Sequence, residues 1–241
     1  MKKVRIVSAT TRDEASFWNN TLLGQSLNLI PEFNININIF FNNIGNNQKG
    51  LSSLYNLFLQ PEYLNEILLF VHDDVYLLDW NIVYRLNDAI LKFDVVGLAG
   101  NTNPDFSEPS WALGWNRTKY PTGWQPKEYL SGTVAHLGPK GIELSYYGEA
   151  PRSCQLLDGL FLAINTEEIL KTSVRFDEQF KFHFYDLDFC RQCFNKGLRI
   201  GTWPISVIHA SGGAYGSPSW IESKVKYFLK WGETKTNTHT D

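Results

Sequence analysis

The run Ile67–Val71 (ILLFV) carries no polar side chain, and His72, Asp73 and Asp74 follow it at once. A strand that is apolar on both faces has to be covered on both faces, as a central strand of a largely parallel sheet is by its flanking helices. In open sheets of that kind ligands gather beyond the carboxyl ends of the strands, where His72-Asp73-Asp74 falls. Two adjacent carboxylates there have two readings. They form a solvated acidic turn, or they hold a hard divalent cation that keeps substrate phosphates in its shell.

The same alternation of short apolar runs and helix-period segments continues along the chain, the pattern of a βα architecture. Val4–Ser8 reads as a first strand. Asn34–Phe41 (NININIFF) alternates strictly and predicts a strand with Ile35, Ile37, Ile39 and Phe41 on its buried face. Leu51, Leu54, Tyr55 and Phe58 mark a helix that ends before Pro61. Asn81–Phe93 predicts a helix, and Val95–Ala99 a strand. From Gly100 to Pro151 no period is sustained, and a stretch of that length is a functional lid or contains short strands. Leu156–Ile164 predicts a strand, after which Asn165 and Glu168 stand at capping-box spacing. A helix from Asp186 to Lys196 stops at Gly197, and Leu198–Trp203 is a further strand. With no repeat and no linker, one domain over 1–231 is expected, followed by a disordered tail over 232–241.

Totals narrow the partners. The 241 residues are 43% hydrophobic and carry a net charge of −3 without a basic run, which argues against nucleic acid. Cys154, Cys190 and Cys193 cannot build a disulfide framework, and the opening residues lack the apolar core of a signal peptide. No apolar stretch is long enough to cross a bilayer, so a cytoplasmic location is expected. Cys190 and Cys193 form a CxxC without a second pair and read as packed small hydrophobes. The aromatic share of 15%, with eight Trp, exceeds what a core asks for and points to a surface for flat or ring-shaped ligands. Trp111, Trp115 and Trp124 fall inside 100–151 and are either a lid or a plug for the core edge; Trp80 and Trp203, beside predicted strands, read as core.

Two further segments carry chemistry. Asp186, in Phe184–Cys190 (FYDLDFC), falls at a helix start. It is an N-cap, or a general base whose charged form the helix N-terminus favours. Asp188 is placed to pair with Arg191. His209, in VIHASGG, is a structural histidine or a ligand, and the glycines after it make a turn or admit a bulky anion.

Taken in order, VRIVSATTRD, NNIGNNQKGLSSLYN, ILLFVHDDV, LLDGLFLAIN, FDEQFKFHFYDLDFCRQCFNKGLRI and VIHASGG resemble the family-2 nucleotide-sugar glycosyltransferases of the GT-A fold. Residues 100–151 have no counterpart in that resemblance. It implies an α/β, Rossmann-like fold with a mostly parallel central sheet flanked by helices. Residues 1–99 would be the nucleotide-binding half, 100–151 a loop-rich aromatic insert and 152–231 the acceptor half. Asp74 matches the ligand of Mn2+ or Mg2+ on the donor diphosphate, and His209 a histidine that reaches the metal. Asp73 belongs to the donor site, and His72 stands where the family carries the first aspartate of its Asp-x-Asp element. Thr10 and Arg12 match the loop that holds the base, and Asn43 a position that reads it. Lys49 and Gly50 precede the helix that lines the nucleotide pocket. Asp158 and Gly159 match the loop beneath donor sugar and acceptor, and Asp186 the catalytic base, with Tyr185 in place of the family's glutamate.

The activity so implied is metal-dependent, inverting transfer of a sugar from a nucleotide-diphosphate donor, expected to be UDP-linked, to a hydroxyl of a glycan or lipid-linked acceptor. A cation offsets the charge that develops on the diphosphate, and a separate carboxylate takes the acceptor proton. The Trp111, Trp115 and Trp124 rings would then stack on sugar faces. The substitutions at His72 and Tyr185 motivate an alternative, a catalytically silent carbohydrate-binding protein on the same fold. Within 219–231, Trp220, Ile221, Lys224, Val225, Phe228 and Leu229 form a helical stripe. It lies on anionic lipid at the inner membrane face or packs on its own domain.

Overall fold

The computed structural model describes residues 1–31, 33–114, 121, 123–138, 140–210 and 215–232. β1 (Lys3–Ala9) leads through α1 (Glu14–Asn20) and α2 (Leu22–Leu27) to β2 (Ile35–Phe40), and α3 (Leu51–Asn56) leads to β3 (Glu66–Val71) and β4 (Val75–Leu77). After α4 (Ile82–Lys92) come β5 (Val95–Gly97), β6 (Ala99–Asn101), β7 (Leu113–Gly114) and β8 (Gly123–Trp124). A hairpin follows, β9 (Leu130–Gly138) and β10 (Gly141–Gly148), then β11 (Arg152–Ser153), β12 (Leu156–Leu157) and β13 (Phe161–Asn165). α5 (Thr166–Ile169), α6 (Tyr185–Asn195), β14 (Ile200–Thr202), β15 (Val207–His209) and α7 (Pro218–Trp231) complete the described elements.

Seven strands form the main sheet in the order β11-β14-β5-β13-β3-β1-β2. β3 lies inside the sheet between β13 and β1, and Ile67–Val71 are fully buried, as an all-apolar strand requires. Tyr55 of α3 stacks on Phe70 with ring centroids 4.2 Å apart, and Phe176 stacks on Phe189 of α6 at 4.1 Å. Much of the aromatic excess is therefore core packing. β1 pairs in parallel with β2 and β3, and β14 with β5, whereas β13 runs antiparallel to both β3 and β5. β11 is likewise antiparallel to β14, but it is the reversal of β13 that decides where the site forms.

A second sheet, β12-β6-β9-β15-β4 with β10 on β9, stands beside the first. Two of the chain's crossings between the sheets divide an apolar run. The stretch predicted as one strand over Val95–Ala99 divides at Leu98 into β5 and β6, and Leu156–Ile164 divides at Asp158–Leu160 into β12 and β13. The two crossings touch, with the Asp158 N–H donating to Ala99 O at 2.9 Å. An apolar run continuous in sequence does not reveal that its two halves pair with different partners.

Several expectations are corrected. Residues 100–151 contain a long hairpin, which reverses between Gly138 and Gly141. β2 is an edge strand whose Ile37 is 38% exposed, so its alternation marks only half-burial. Trp80 is 70% exposed and not core, whereas Trp203 packs against Phe93. The Asn165 side chain does not cap α5 but accepts from Lys2 Nζ at 2.6 Å. Asp188 pairs with Lys230 at 2.7 Å instead of Arg191, whose guanidinium lies over the rings of Phe106 and Trp231. α6 begins at Tyr185 behind Phe184, which takes the cap position in the left-handed region (φ 65°), so Asp186 sits inside the first turn.

Gly132 joins the hairpin to β6 with φ +105°, and a Cβ there would stand 1.9 Å from Leu98 O. Both the conformation and the close backbone approach require glycine. Gly132→Ala is expected to lower unfolding free energy by roughly 2–4 kcal/mol, measured by urea denaturation. Wild-type stability in that variant would show that the strand is not held so tightly.

Candidate active site

The site forms where the ends of five segments meet. β3 delivers His72-Asp73-Asp74 past its carboxyl end. Because β13 is antiparallel to β3, its lead-in Asp158-Gly159-Leu160 arrives at the same edge, and His72 N–H donates to Leu160 O at 3.1 Å. β15 pairs with β4 so that His209 lies opposite Val75, and Ala210 N–H donates to Asp74 O at 3.0 Å. β9 sets His136 beside His209, and α6 presents Tyr185 and Asp186 from its first turn.

Asp73 and Asp74 form a turn closed by the Val75 N–H donating to His72 O at 3.3 Å. The turn brings His72 and Asp74 together with His209, and one ligand atom from each of the three lies within 4.8 Å of the others. Asp73 meets Thr10, whose hydroxyl hydrogen-bonds its carboxylate. His209 Nε2 and Asp74 Oδ1 stand 3.5 Å apart, within ion-pair reach. Both atoms are buried, and neither has a hydrogen-bond partner among the described residues. Burial works against both charges, yet their mutual attraction leaves Asp74 below and His209 above its ordinary pKa. His72 is driven the other way by burial and stays neutral, with a ring lone pair. Two orphaned buried atoms converging with a neutral imidazole fit a divalent cation, which would take the place of the His209 proton.

Beside the triad opens a cavity of about 540 Å³, lined also by Asp158, Gly159, Tyr185 and Asp186. Gly159 N–H donates to Asp186 Oδ2 at 2.9 Å, and Tyr185 Oη donates to Gly159 O at 2.8 Å. A Cβ on Gly159 would stand 2.6 Å from Tyr185 Oη and 2.9 Å from Asp186 Cβ, so only glycine permits this approach. Asp158 Oδ2 accepts from Trp111 Nε1 at 2.9 Å and Oδ1 from Leu160 N–H at 3.0 Å. Burial, followed by the nearby Asp158 charge, pushes Asp186 up to about 7. A buried carboxyl near neutrality can accept or release a proton at physiological pH.

Aromatic side chains supply much of the remaining wall. Trp111 is buried and edge-on to Tyr147 with centroids 5.0 Å apart, a wall residue anchored on Asp158. Trp124 is 63% exposed at the rim, 5.9 Å from the same tyrosine. Trp115 lies outside the described residues, as do the glycines after His209.

Thr10, Arg12, Asn43, Lys49, Gly50 and Asp73 gather at the ends of β1, β2 and β3, and none of them lines this cavity. Asn43 N–H donates to Thr10 O, and its side-chain amide is bound at both ends to the Lys49 backbone (3.0 and 2.7 Å). Arg12 and Lys49 are exposed beside it. Gly50 abuts Lys181 Cα, and Leu51 N–H donates to Lys181 O at 2.6 Å, so α3 is docked on the segment that carries Phe182 and His183 into the cavity wall.

No protein-family model matches this sequence, and no curated protein matches it. Solved structures do share its fold. GalNAc-T7 with UDP, GalNAc and Mn2+ superposes on 95% of this chain with a TM-score of 0.59 at 11% identity. Mannosyltransferase PcManGT from Pyrobaculum calidifontis, in complex with GDP-Man and Mn2+, superposes on 95% with a TM-score of 0.53 at 12% identity. The fold is that of the GT-A glycosyltransferases. This chain spans 48% of the first GT-A protein and 64% of the second.

Three contributors to this site escape the sequence reading. His72, expected only to stand where the family carries its first aspartate, joins the triad through the turn that the Val75 N–H closes on His72 O. His136 and Tyr147 come from the hairpin, where the alternation of Glu143, Ser145 and Tyr147 against Ile142, Leu144 and Tyr146 was the available cue.

A carboxyl whose folded pKa is raised favours its protonated form in the fold. Its contribution to stability is complete below the ordinary value of 3.8 and is lost as pH rises through about 7. Asp186→Asn removes this dependence. In chelator, the variant's stability relative to wild type is expected to increase between pH 5 and pH 8 in urea titrations; a difference independent of pH would refute the burial argument.

Proposed function

We propose that this chain is a metal-dependent, inverting glycosyltransferase that moves a sugar from a nucleotide-diphosphate donor to a hydroxyl of a glycan or lipid-linked acceptor. The observation that carries this reading is the convergence of the orphaned Asp74 and His209 atoms with His72 at one side of a cavity that also holds Asp186. The Mn2+ and nucleotide sugars in the two similar folds support it.

In this reading Asp74, His209 and His72 hold the cation, and their two imidazoles favour a transition ion such as Mn2+ over Mg2+. The bound ion supplies positive charge against the diphosphate leaving group. Thr10, Arg12, Asn43, Lys49, Gly50 and Asp73 form the nucleotide end of the donor site, and Asp158 and Gly159 lie beneath the sugar. Asp186, oriented by the Gly159 N–H, accepts the proton of the acceptor hydroxyl as its oxygen bonds to the anomeric carbon. The bond from that carbon to the diphosphate breaks in the same displacement, and the nucleoside diphosphate departs with the electron pair. A base on the acceptor side, with no carboxylate assigned as nucleophile, corresponds to inversion. Trp111 and Trp124 offer ring faces to sugars, and UDP-sugars are the first donors to test.

Asp74→Ala or chelation is expected to abolish transfer, and Asp186→Asn to keep Mn2+-dependent donor binding while transfer falls about 10²–10⁴-fold. Thermal-shift titration with sugar nucleotides, with and without Mn2+, measures binding, and product mass spectrometry measures transfer. Undiminished transfer by Asp186→Asn removes the base assignment. Oligosaccharide binding without nucleotide binding favours the silent carbohydrate-binding reading, and tight Mn2+-dependent nucleotide binding removes it.

A lipid-linked acceptor agrees with α7. The predicted stripe divides: Trp220 is buried, as is Tyr227 outside the stripe, whereas Ile221, Val225 and Leu229 form an outward row, 39%, 50% and 65% exposed. No helix among the described residues is long and apolar enough to cross a membrane. A helix lying on the surface needs only that row and nearby lysines. Co-flotation with anionic vesicles is expected, with loss in Val225→Asp/Leu229→Asp; absence of wild-type flotation would discard the contact.

A further inference from the structure

Tyr185 occupies a junction that the transfer reading leaves without a task. Its hydroxyl lies 2.8 Å from Gly159 O and 2.9 Å from His72 Nε2. A phenol carries one proton, and a carbonyl oxygen can only accept. If that proton pointed to His72, two oxygens 2.8 Å apart would face each other with lone pairs alone. The proton therefore goes to Gly159 O, and the phenolic oxygen accepts from His72, which requires the imidazole proton to be on Nε2. The nitrogen left with a lone pair is Nδ1. Phe182, nearly parallel to the His72 ring at 6.0 Å, limits its rotation, and the His72 backbone is held by Leu160 O.

We propose that Tyr185 is a positioning residue which, through the relay Gly159 O–Tyr185–His72, fixes the Nε2–H tautomer of His72 and presents Nδ1 to the divalent cation. The inference rests on the metal centre proposed above. An imidazole ligand needs its other nitrogen engaged by an acceptor, which sets both the tautomer and the ring orientation. A carboxylate or backbone carbonyl fills that place in many sites; here a phenol does, and it can do so only because a carbonyl absorbs its own proton.

Long-range proton–nitrogen correlation spectra of protein labelled with 15N-histidine distinguish the two tautomers directly. In the metal-free wild type, His72 is expected as the Nε2–H form, and titration with diamagnetic Zn2+ is expected to shift Nδ1. A His72 found as Nδ1–H, or ligating through Nε2, overturns the proposal without recourse to any variant. Tyr185→Phe keeps the ring packing and removes the relay. It is expected to mix the His72 tautomers and to weaken Mn2+ binding about 10–100-fold by calorimetry. A purely structural Tyr185 would change the melting temperature while leaving the tautomer and the Mn2+ affinity at wild-type values, and that result also overturns it. Wild type that binds no Mn2+ removes the metal centre itself, a failure separate from wild-type binding that Tyr185→Phe leaves unchanged.

Discussion

The site depends on one close contact, the approach of the Gly159 backbone to the first turn of α6. Its N–H holds Asp186, its carbonyl holds Tyr185, and the next carbonyl, Leu160 O, holds the His72 backbone. No side chain fits at Gly159, since a Cβ would collide with both α6 residues. That contact exists because β13 enters the main sheet against the direction of β3 and so brings its lead-in to the edge where β3 ends. A parallel β13 would place Asp158 and Gly159 at the opposite end of the sheet. The His72-Asp74-His209 cluster, Asp186 and the cavity wall are brought together by the reversal of β13.

The arrangement concentrates charge where water is scarce. Asp158 and Asp186 share the cavity, and Asp186 rises toward neutrality from burial and from its neighbour's charge. Asp158 stays anchored by the Trp111 indole and the Leu160 N–H, so the two carboxylates have different surroundings. Across the cavity Asp74 and His209 face each other without a hydrogen bond.

Local patterns made a good part of this legible. The apolar β3 run announced a doubly covered central strand, and the polar residues after it marked the functional edge. The Gly197 stop of α6 appears with φ +74°, as a helix terminus in the left-handed region requires. Misreadings arose where a residue's environment is set by partners distant in the chain. Trp80 stands beside a strand but points to solvent, and Asp188 found Lys230 across 42 positions instead of Arg191 three along. The hairpin's alternation is regular, but the Gly- and Trp-rich residues around it obscured the period.

By itself the sequence determined the α/β class, the central strand, the two acidic clusters and the histidine that joins one of them, because periodicity and strand ends are local properties. Tertiary structure alone decided that His72 sides with Asp74, that Asp73 turns to Thr10, and that Trp111 is a wall residue tied to Asp158. It also decided that Asp186 is buried against a backbone amide and not at a cap. Those outcomes follow from sheet order and strand direction, and hydrogen bonding between segments 26 to 136 residues apart is not written in any one of them.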